Sequence, residues 1–275
     1  MGRYLPGMKK LLLLLLLLTT GNLVAQTADT LQASIGLNIA AQLATTDNLK
    51  NIYVFTASYT LEKFSPDLKL LGRYSNNRLG FPTAIDVSNP MKILLWYADF
   101  RTVVFLDRNM TVLGELNLIQ AGFPEVRTVA AARDGNLWLY DEVAFKLRKI
   151  SPEGAIIFES QDLNLVFDTR LSITCLYESD ASLYAADAQM GLLQFDNYAQ
   201  FSQNLPWKGI TQFITNGNLL YHIQDDKLHV NLIQGFMATS HQLPVSVPGA
   251  PPVKRWLGHR AVLQQEEGML KIYSF

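Results

Sequence analysis

Two of the four histidines are spaced for a shared site. His222 and His229 flank Asp225-Asp226, a turn signal between two apolar runs. If those runs pair as a hairpin, the two histidines lie opposite each other on one sheet face, with their rings in contact distance. Imidazole binds zinc and copper, but a closed site needs further ligands, and no third ligand is evident on that face. We therefore expect two partly exposed histidines on a sheet surface, weak candidates for a metal site, and no cofactor.

Nucleophilic catalysis has no local signature in this sequence. No Gly-x-Ser-x-Gly elbow and no glycine-rich phosphate loop is present. Cys175, the only cysteine, lies in the apolar run Ile173-Thr174-Cys175-Leu176-Tyr177 without a neighbouring histidine. Such a cysteine is typical of a buried small hydrophobic side chain, and a single cysteine excludes an intrachain disulfide. The absence of a complete catalytic constellation favours binding over catalysis.

Composition and the first 25 residues indicate where the protein works. The chain has 275 residues, 49% hydrophobic and 17% charged, which excludes a disordered or strongly basic protein. Arg3, Lys9 and Lys10 precede the run Leu11–Leu18, so residues 1–25 are predicted to be a cleaved secretory signal peptide. Without these three basic residues, 20 Lys and Arg face 24 Asp and Glu, a net charge of −4. We expect a periplasmic protein with no transmembrane segment after cleavage and no nucleic-acid partner.

The elements that must position any site repeat along the chain. Apolar strands that carry an aromatic or large apolar residue recur at intervals of 43, 42, 46, 37 and 41 residues. They contain Tyr53, Trp96, Trp138, Tyr184, Tyr221 and Val262. A second strand follows each one and ends in an apolar residue before Ser, Asp or Asn and a turn, as in Phe64-Ser65-Pro66-Asp67. One unit is therefore predicted to hold four short strands in about 42 residues.

This period predicts an all-β fold, a six-bladed β-propeller with four-stranded antiparallel blades. The sixth unit ends at Phe275 after its third strand, while Thr30–Leu37 is a strand-like run left over before the first unit. We expect this N-terminal strand to complete the last blade and close the ring, because closure removes an exposed sheet edge. Residues 26–275 are thus predicted to form one propeller domain.

Blade 2 carries the clearest motif of a known repeat. Its segments Phe81–Val87, Leu95–Asp99 and Val104–Asp107 resemble the NHL-type propeller repeat, in which a proline opens the blade and three short strands ending in Asp follow. Gly122-Phe123-Pro124 repeats Gly80-Phe81-Pro82 at 42 residues. The resemblance covers nearly all of residues 26–275 and implies a secreted propeller of the NHL-like and gluconolactonase-like superfamily.

The resemblance also implies an alternative function, a metal-dependent lactonase or related hydrolase. Gluconolactonase-type propellers hold a divalent cation at the channel mouth with a Glu, two Asn and an Asp from different blades. Here Glu125 and Asp86 are the only acids that we place near first strands, and Ile39–Leu43, taken as the first strand of blade 1, carries none. A third interpretation is small-molecule or sugar binding in the channel, with Trp207 as a stacking platform.

The loops that join one blade to the next are the expected binding surface. Phe81 and Phe123 occupy the same repeat position, so we expect both to fill the gap between blades. Arg170 and Trp207 do not recur, and aromatic and arginine side chains are enriched in protein contacts. The candidate binding residues are Arg78, Glu125, Arg127, Arg170, Trp207 and Lys208. We therefore expect a non-catalytic interaction or scaffold module with a protein partner in the bacterial envelope.

Overall fold

Six antiparallel sheets account for the strands of this protein. The computed structural model describes Leu31 and residues 35–235, 238–243 and 253–275. Within these residues, 24 strands form six four-stranded sheets, which confirms the predicted six-bladed β-propeller. None of the helices in this part of the chain is long and apolar enough to cross a membrane. The predicted signal peptide, residues 1–25, lies outside the described residues.

Each blade is an up-and-down sheet of consecutive strands, and β1 (Ile35–Leu37) stands apart. Blade 1 consists of β2 (Ala41–Thr46), β3 (Ile52–Thr56), β4 (Thr60–Phe64) and β5 (Leu70–Ser75). Blade 2 consists of β6 (Ala84–Asp86), β7 (Lys92–Tyr97), β8 (Thr102–Asp107) and β9 (Val112–Asn117), with a 3-10 helix at Ala98–Phe100. Blade 3 consists of β10 (Val126–Ala131), β11 (Leu137–Asp141), β12 (Lys146–Ile150) and β13 (Ile156–Glu159), and is followed by helix α1 (Leu163–Phe167).

The second half of the chain continues the pattern. Blade 4 consists of β14 (Ile173–Ser179), β15 (Ser182–Asp187), β16 (Gly191–Asp196) and β17 (Phe201–Leu205). Blade 5 consists of β18 (Phe213–Asn216), β19 (Leu219–Gln224), β20 (Lys227–Leu232) and β21 (Ala238–Gln242). Blade 6 holds β22 (Lys254–Gly258), β23 (Ala261–Glu266) and β24 (Met269–Ser274).

The ring is closed by the N-terminal strand, as predicted. β1 pairs antiparallel with β24, with Ile35 opposite Ile272 and Leu37 opposite Leu270. Blade 6 therefore runs in the order β1-β24-β23-β22 and is built from both ends of the described chain. The outer edge of β24 is covered by this pairing, so the closure ties the two ends of the ring together.

The hydrophobic core lies between blades. Each of six apolar clusters in the described residues fills the gap between two neighbouring blades. Between blades 1 and 2 the cluster contains Tyr53 and Leu95, and between blades 3 and 4 it contains Trp138 and Phe195. Because both faces of a blade are covered, its middle strands are continuous apolar runs, such as Ile93–Tyr97, with no residue above 1% exposed.

A polar residue at or just after the end of the third strand sets up the turn to the fourth in blades 1 to 4. Oδ1 of Asp107 accepts hydrogen bonds from the backbone N–H groups of Asn109 and Thr111, and Asp196 caps its own turn in the same way. Ser65 and Ser151 do so with a hydroxyl. The predicted apolar-then-polar strand end is thus confirmed, since these side chains mimic a backbone turn.

Candidate functional site

The loops between blades open on the same face of the ring as the turns between second and third strands, because the strands alternate in direction. We call this the loop face. Six large apolar side chains in the described loops and turns of this face are between 40% and 83% exposed. They are Phe81, Phe100, Ile119, Val143, Leu165 and Val166. All of them belong to blades 1 to 3 or to the loops that follow these blades.

Two predicted binding residues meet at one turn of blade 3, Glu142–Phe145. Nε of Arg127 lies 3.0 Å from Oε1 of Glu142, at the start of the turn. The guanidinium carbon of Arg170 lies 5.5 Å from the centre of the Phe145 ring, a cation–π contact. The turn, helix α1, Arg127 and Arg170 together form what we call the blade 3 corner. The structure therefore brings together two arginines that are 43 residues apart in sequence.

Helix α1 displays apolar side chains at the blade 3 corner. Asp162 caps its N-terminus by accepting a hydrogen bond from the backbone N–H of Asn164. Leu163 is buried, and the ring of Phe167 lies 4.8 Å from that of Phe201, so positions i and i+4 face inward. Leu165 lies on the opposite side and is 83% exposed. Sequence analysis missed this helix, although Asp before Leu-Asn-Leu-Val-Phe is a helix-capping signal.

The remaining predicted binding residues lie elsewhere on the loop face. Arg78 is exposed in the loop between blades 1 and 2, and Glu125 is exposed between blades 2 and 3, with Arg101 3.8 Å away. Lys208 is exposed between blades 4 and 5. Its neighbour Trp207 is half-buried and packs against the apolar cluster between those two blades. Part of the Trp207 ring therefore belongs to the core.

The two repeated phenylalanines differ in their surroundings. Phe123 is 2% exposed inside the cluster between blades 2 and 3, which confirms the expected packing role. Phe81 packs its ring against Tyr59 at 4.7 Å and Phe55 at 6.0 Å, yet remains 46% exposed. The packing role is therefore only part of the description of Phe81, which also contributes to the loop face.

His222 and His229 form the predicted cross-strand pair. They are directly opposite in β19 and β20, and their rings are stacked with centres 4.9 Å apart and an angle of 11°. The expectation that both are partly exposed is wrong for His222, which is 3% exposed. In the described part of the chain, no three His, Cys, Asp or Glu side chains are grouped closely enough to hold a metal ion. The pair therefore gains no third ligand of these types there.

The first strand of every blade lines a central channel. A cavity of about 430 Å³ lies in it, with residues of β2, β6, β10, β14, β18 and β22 on its wall. Of the six predicted binding residues, Arg127 lines this cavity. Trp207, the predicted stacking platform, lies outside the cavity, whereas Trp96 and Trp256 are on its wall.

Carboxylates of the first strands link neighbouring blades. Oδ2 of Asp86 accepts a hydrogen bond of 2.8 Å from the backbone N–H of Ala131 in blade 3. The prediction that Glu125 and Asp86 are the only acids near first strands is wrong, because Glu178 lies in β14 and is 7% exposed. Oε2 of Glu178 accepts hydrogen bonds from the backbone N–H of Arg133 at 2.9 Å and from Nε1 of Trp138 at 3.1 Å.

The first strand of blade 1 also begins later than predicted. It is β2, Ala41–Thr46, and the expected strand Ile39–Leu43 covers only half of it. Thr45 and Thr46 donate hydrogen bonds through their hydroxyls to backbone carbonyls of Leu257 and His259 in blade 6. Residues beyond the predicted strand end therefore hold blade 1 against blade 6.

Comparisons with known proteins agree with this architecture. No protein-family model and no curated protein matches the chain. Solved structures of β-propellers match it. Virginiamycin B lyase from Staphylococcus aureus is 12% identical over 88% of both chains, with a TM-score of 0.54. The Pan2 WD40 domain of Neurospora crassa is 11% identical over 85% of this chain and 88% of its own, with a TM-score of 0.58. BBS1N, from a complex with ARL6DN, is 13% identical over 89% and 96%, with a TM-score of 0.57.

At identities of this size the likeness shows the fold alone. The matched proteins include an enzyme and a protein solved with a protein partner, so the shared architecture does not select one activity. The chain is a β-propeller, the fold that the NHL-like resemblance implies.

Proposed function

We propose that the protein acts outside the cytoplasm as a non-catalytic β-propeller that binds an envelope protein partner through its loop face. The observation that carries this proposal is the mixture of exposed large apolar side chains and arginines at the blade 3 corner. Val143 and Leu165 are 59% and 83% exposed there, beside Arg127 and Arg170. Interface cores are rich in large apolar and arginine side chains, and contiguous exposed apolar surface marks interaction sites.

The proposed location rests on the predicted signal peptide. We expect the protein isolated from its bacterial host to begin at Gln26 and to occur in the periplasmic fraction, because an apolar run such as Leu11–Leu18 between a basic start and Val24-Ala25 is typical of a secretion signal. N-terminal sequencing after cell fractionation measures this. As a control, replacement of Leu13 and Leu15 by Arg should leave uncleaved chain in the cytoplasm. A native protein that begins at Met1 or Met8 would contradict the proposed location.

Partner binding should depend on the blade 3 corner. We expect the double variant Val143→Asp, Leu165→Asp to bind the partner at least tenfold more weakly, because each carboxylate would be desolvated against an apolar contact. Arg170→Ala should weaken binding as well. The partner is first identified by crosslinking and pull-down from the native envelope, and dissociation constants are then measured with purified proteins.

The matched control is Leu113→Asp on the outer strand β9. Leu113 is 58% exposed, close to the exposure of Val143, but it lies on the side wall of blade 2. Leu113→Asp should leave partner binding unchanged, although it makes the net charge of the protein more negative, as the double variant does. If Leu113→Asp weakens binding as much as the double variant does, or if neither has an effect, the loop face is not the binding surface.

A further inference from the structure

We propose that the central channel is a separate binding site for a neutral carbohydrate of one or two rings. This site is different from the partner-binding surface proposed on the loop face. The cavity of about 430 Å³ is on the ring axis and is lined by all six first strands. Its volume lies in the range of roughly 300 to 1,000 Å³ that is typical of small-molecule sites.

The charged groups on the cavity wall are engaged within the protein. Asp86 and Glu178 accept hydrogen bonds from backbone N–H groups of blade 3. Arg127 forms a salt bridge with Glu142. Arg133 forms a salt bridge with Asp180, which also lines the cavity. A charged ligand would have to compete with these contacts for a counter-charge and would lose the strong hydration of its charge, whereas a neutral ligand has no charge to compensate.

Neutral polar side chains, most of them hydroxyls, also line the cavity. Thr128, Tyr177 and Thr211 carry hydroxyls and line the cavity. Thr215 lines it too, and its hydroxyl is buried without a hydrogen-bond partner among the described residues. A hydroxyl both donates and accepts, so it matches the hydroxyls of a sugar in either direction. Desolvation by burial raises the pKa of Tyr177 to about 12, so this hydroxyl keeps its proton at neutral pH.

Two of the first strands depart from regular pairing where they carry channel threonines. The pairing of β10 with β11 shifts between Val126 and Val129, over Arg127 and Thr128. The pairing of β14 with β15 shifts between Ile173 and Cys175, at Thr174, which also lines the cavity. Bulges redirect side chains and are enriched next to binding sites.

Apolar and aromatic surfaces complete the wall. The rings of Tyr177 and Trp256 and the side chains of Ile85 and Ile214 line the cavity. The Tyr177 ring is held by an edge contact of 6.1 Å with Phe213 of blade 5. A sugar ring presents C–H groups on its faces and hydroxyls at its edge. Aromatic walls with scattered hydroxyls therefore fit a sugar better than they fit a purely apolar molecule.

Calorimetric titration of the purified full chain tests the proposal. The probes are N-acetylglucosamine, glucose and maltose, with glucuronate and glucosamine as charged counterparts and indole as an apolar one. We expect at least one neutral sugar to bind with a dissociation constant of about 10 µM to 1 mM, the range of small polar ligands. The same sugar should slow the labelling of Cys175, which lines the cavity, by methyl methanethiosulfonate. Both charged counterparts should bind at least tenfold more weakly.

Conservative variants locate the binding. Tyr177→Phe and Thr128→Val keep side-chain shape and remove one hydroxyl each, so each should weaken sugar binding roughly three- to tenfold. Thr111→Val, on an exposed turn of blade 2, is the matched control and should have no effect. The proposal is overturned if no neutral sugar binds, if glucuronate or indole binds more tightly than every neutral sugar, or if the two channel variants bind like the control.

Discussion

Replacement of Glu178 by Ala should destabilise the protein by about 3 to 5 kcal/mol, the range measured when one partner of a buried ion pair is removed. Glu178 is 7% exposed and accepts hydrogen bonds from the backbone N–H of Arg133 and from Nε1 of Trp138. Its other oxygen lies 3.8 Å from Nζ of Lys149, a buried ammonium that also contacts Asp134 at 2.7 Å. Alanine would leave one buried and one partly buried donor without an acceptor, and Lys149 with one anionic partner fewer.

The hairpin that carries Glu178 also provides a matched control. Asp180 is paired with Arg133 at 3.3 Å, but both side chains are more than 60% exposed. Asp180→Ala should therefore change stability by about 1 kcal/mol or less. Glu178→Gln, which keeps an acceptor but loses the charge, should fall between the two. Urea unfolding at neutral pH measures all three variants, and equal effects of Glu178→Ala and Asp180→Ala would show that the buried contacts do not hold blades 3 and 4 together.

The location of Glu178 shows what a strand pattern leaves open. The apolar run Ile173–Tyr177 predicts the strand β14 correctly, and Glu178 follows it immediately. Nothing in the local sequence tells that this acid is buried, because its partners are in blade 3. Trp138 is 40 residues away, and Arg133 is 45. Glu178 reaches these partners because blades 3 and 4 are neighbours in the ring.

The ring itself could be predicted because its signals are local and repeated. Strands buried on both faces appear as apolar runs, turns appear as Asp, Asn, Ser and Gly, and a surplus strand at one end fits the gap at the other. The residue-level alignment of the repeat is less reliable. Tyr53 is the second residue of β3, whereas Trp96 is the fifth of β7, so these aromatics are not equivalent although their strands are.

The candidate site was predictable in part for the same reason. Arginines and aromatics in the inter-blade loops could be named from sequence, and Arg127 and Arg170 do lie at one corner. They meet there because Arg127 contacts Glu142 and Arg170 contacts Phe145, and both of these residues belong to the turn between β11 and β12. The sequence of the inter-blade loops does not contain this turn. Leu165 was missed because its exposure results from a five-residue helix that turns Leu163 and Phe167 inward.

Acid should weaken the fold through His222. This histidine is 3% exposed, and desolvation, with a smaller effect of His229, lowers its pKa from 6.5 to about 4. Its Nε2 lies 3.2 Å from Nδ2 of Asn231, so the neutral ring accepts a hydrogen bond from the amide. A proton on Nε2 would face the amide hydrogens, which reinforces the preference for the neutral form in the folded state.

The sign of the effect follows from proton uptake. Above pH 6.5 the ring is neutral in both the folded and the unfolded chain, so His222 adds no pH dependence there. Between pH 6.5 and about 4 the unfolded chain binds the proton and the folded chain does not, so the free energy of unfolding falls as pH is lowered, by about 3 kcal/mol in total.

Urea unfolding at pH 7.0, 5.5 and 4.5 separates this effect from the titration of carboxyl groups. His222→Asn should unfold at lower urea than wild type at pH 7.0, and the difference between the two proteins should shrink toward pH 4.5 because the variant has no proton to take up. His241→Asn, which removes a half-buried histidine from the outer strand of the same blade, serves as the control and should run parallel to wild type. If His222→Asn also runs parallel to wild type across this range, the buried ring is not the group that makes blade 5 sensitive to acid.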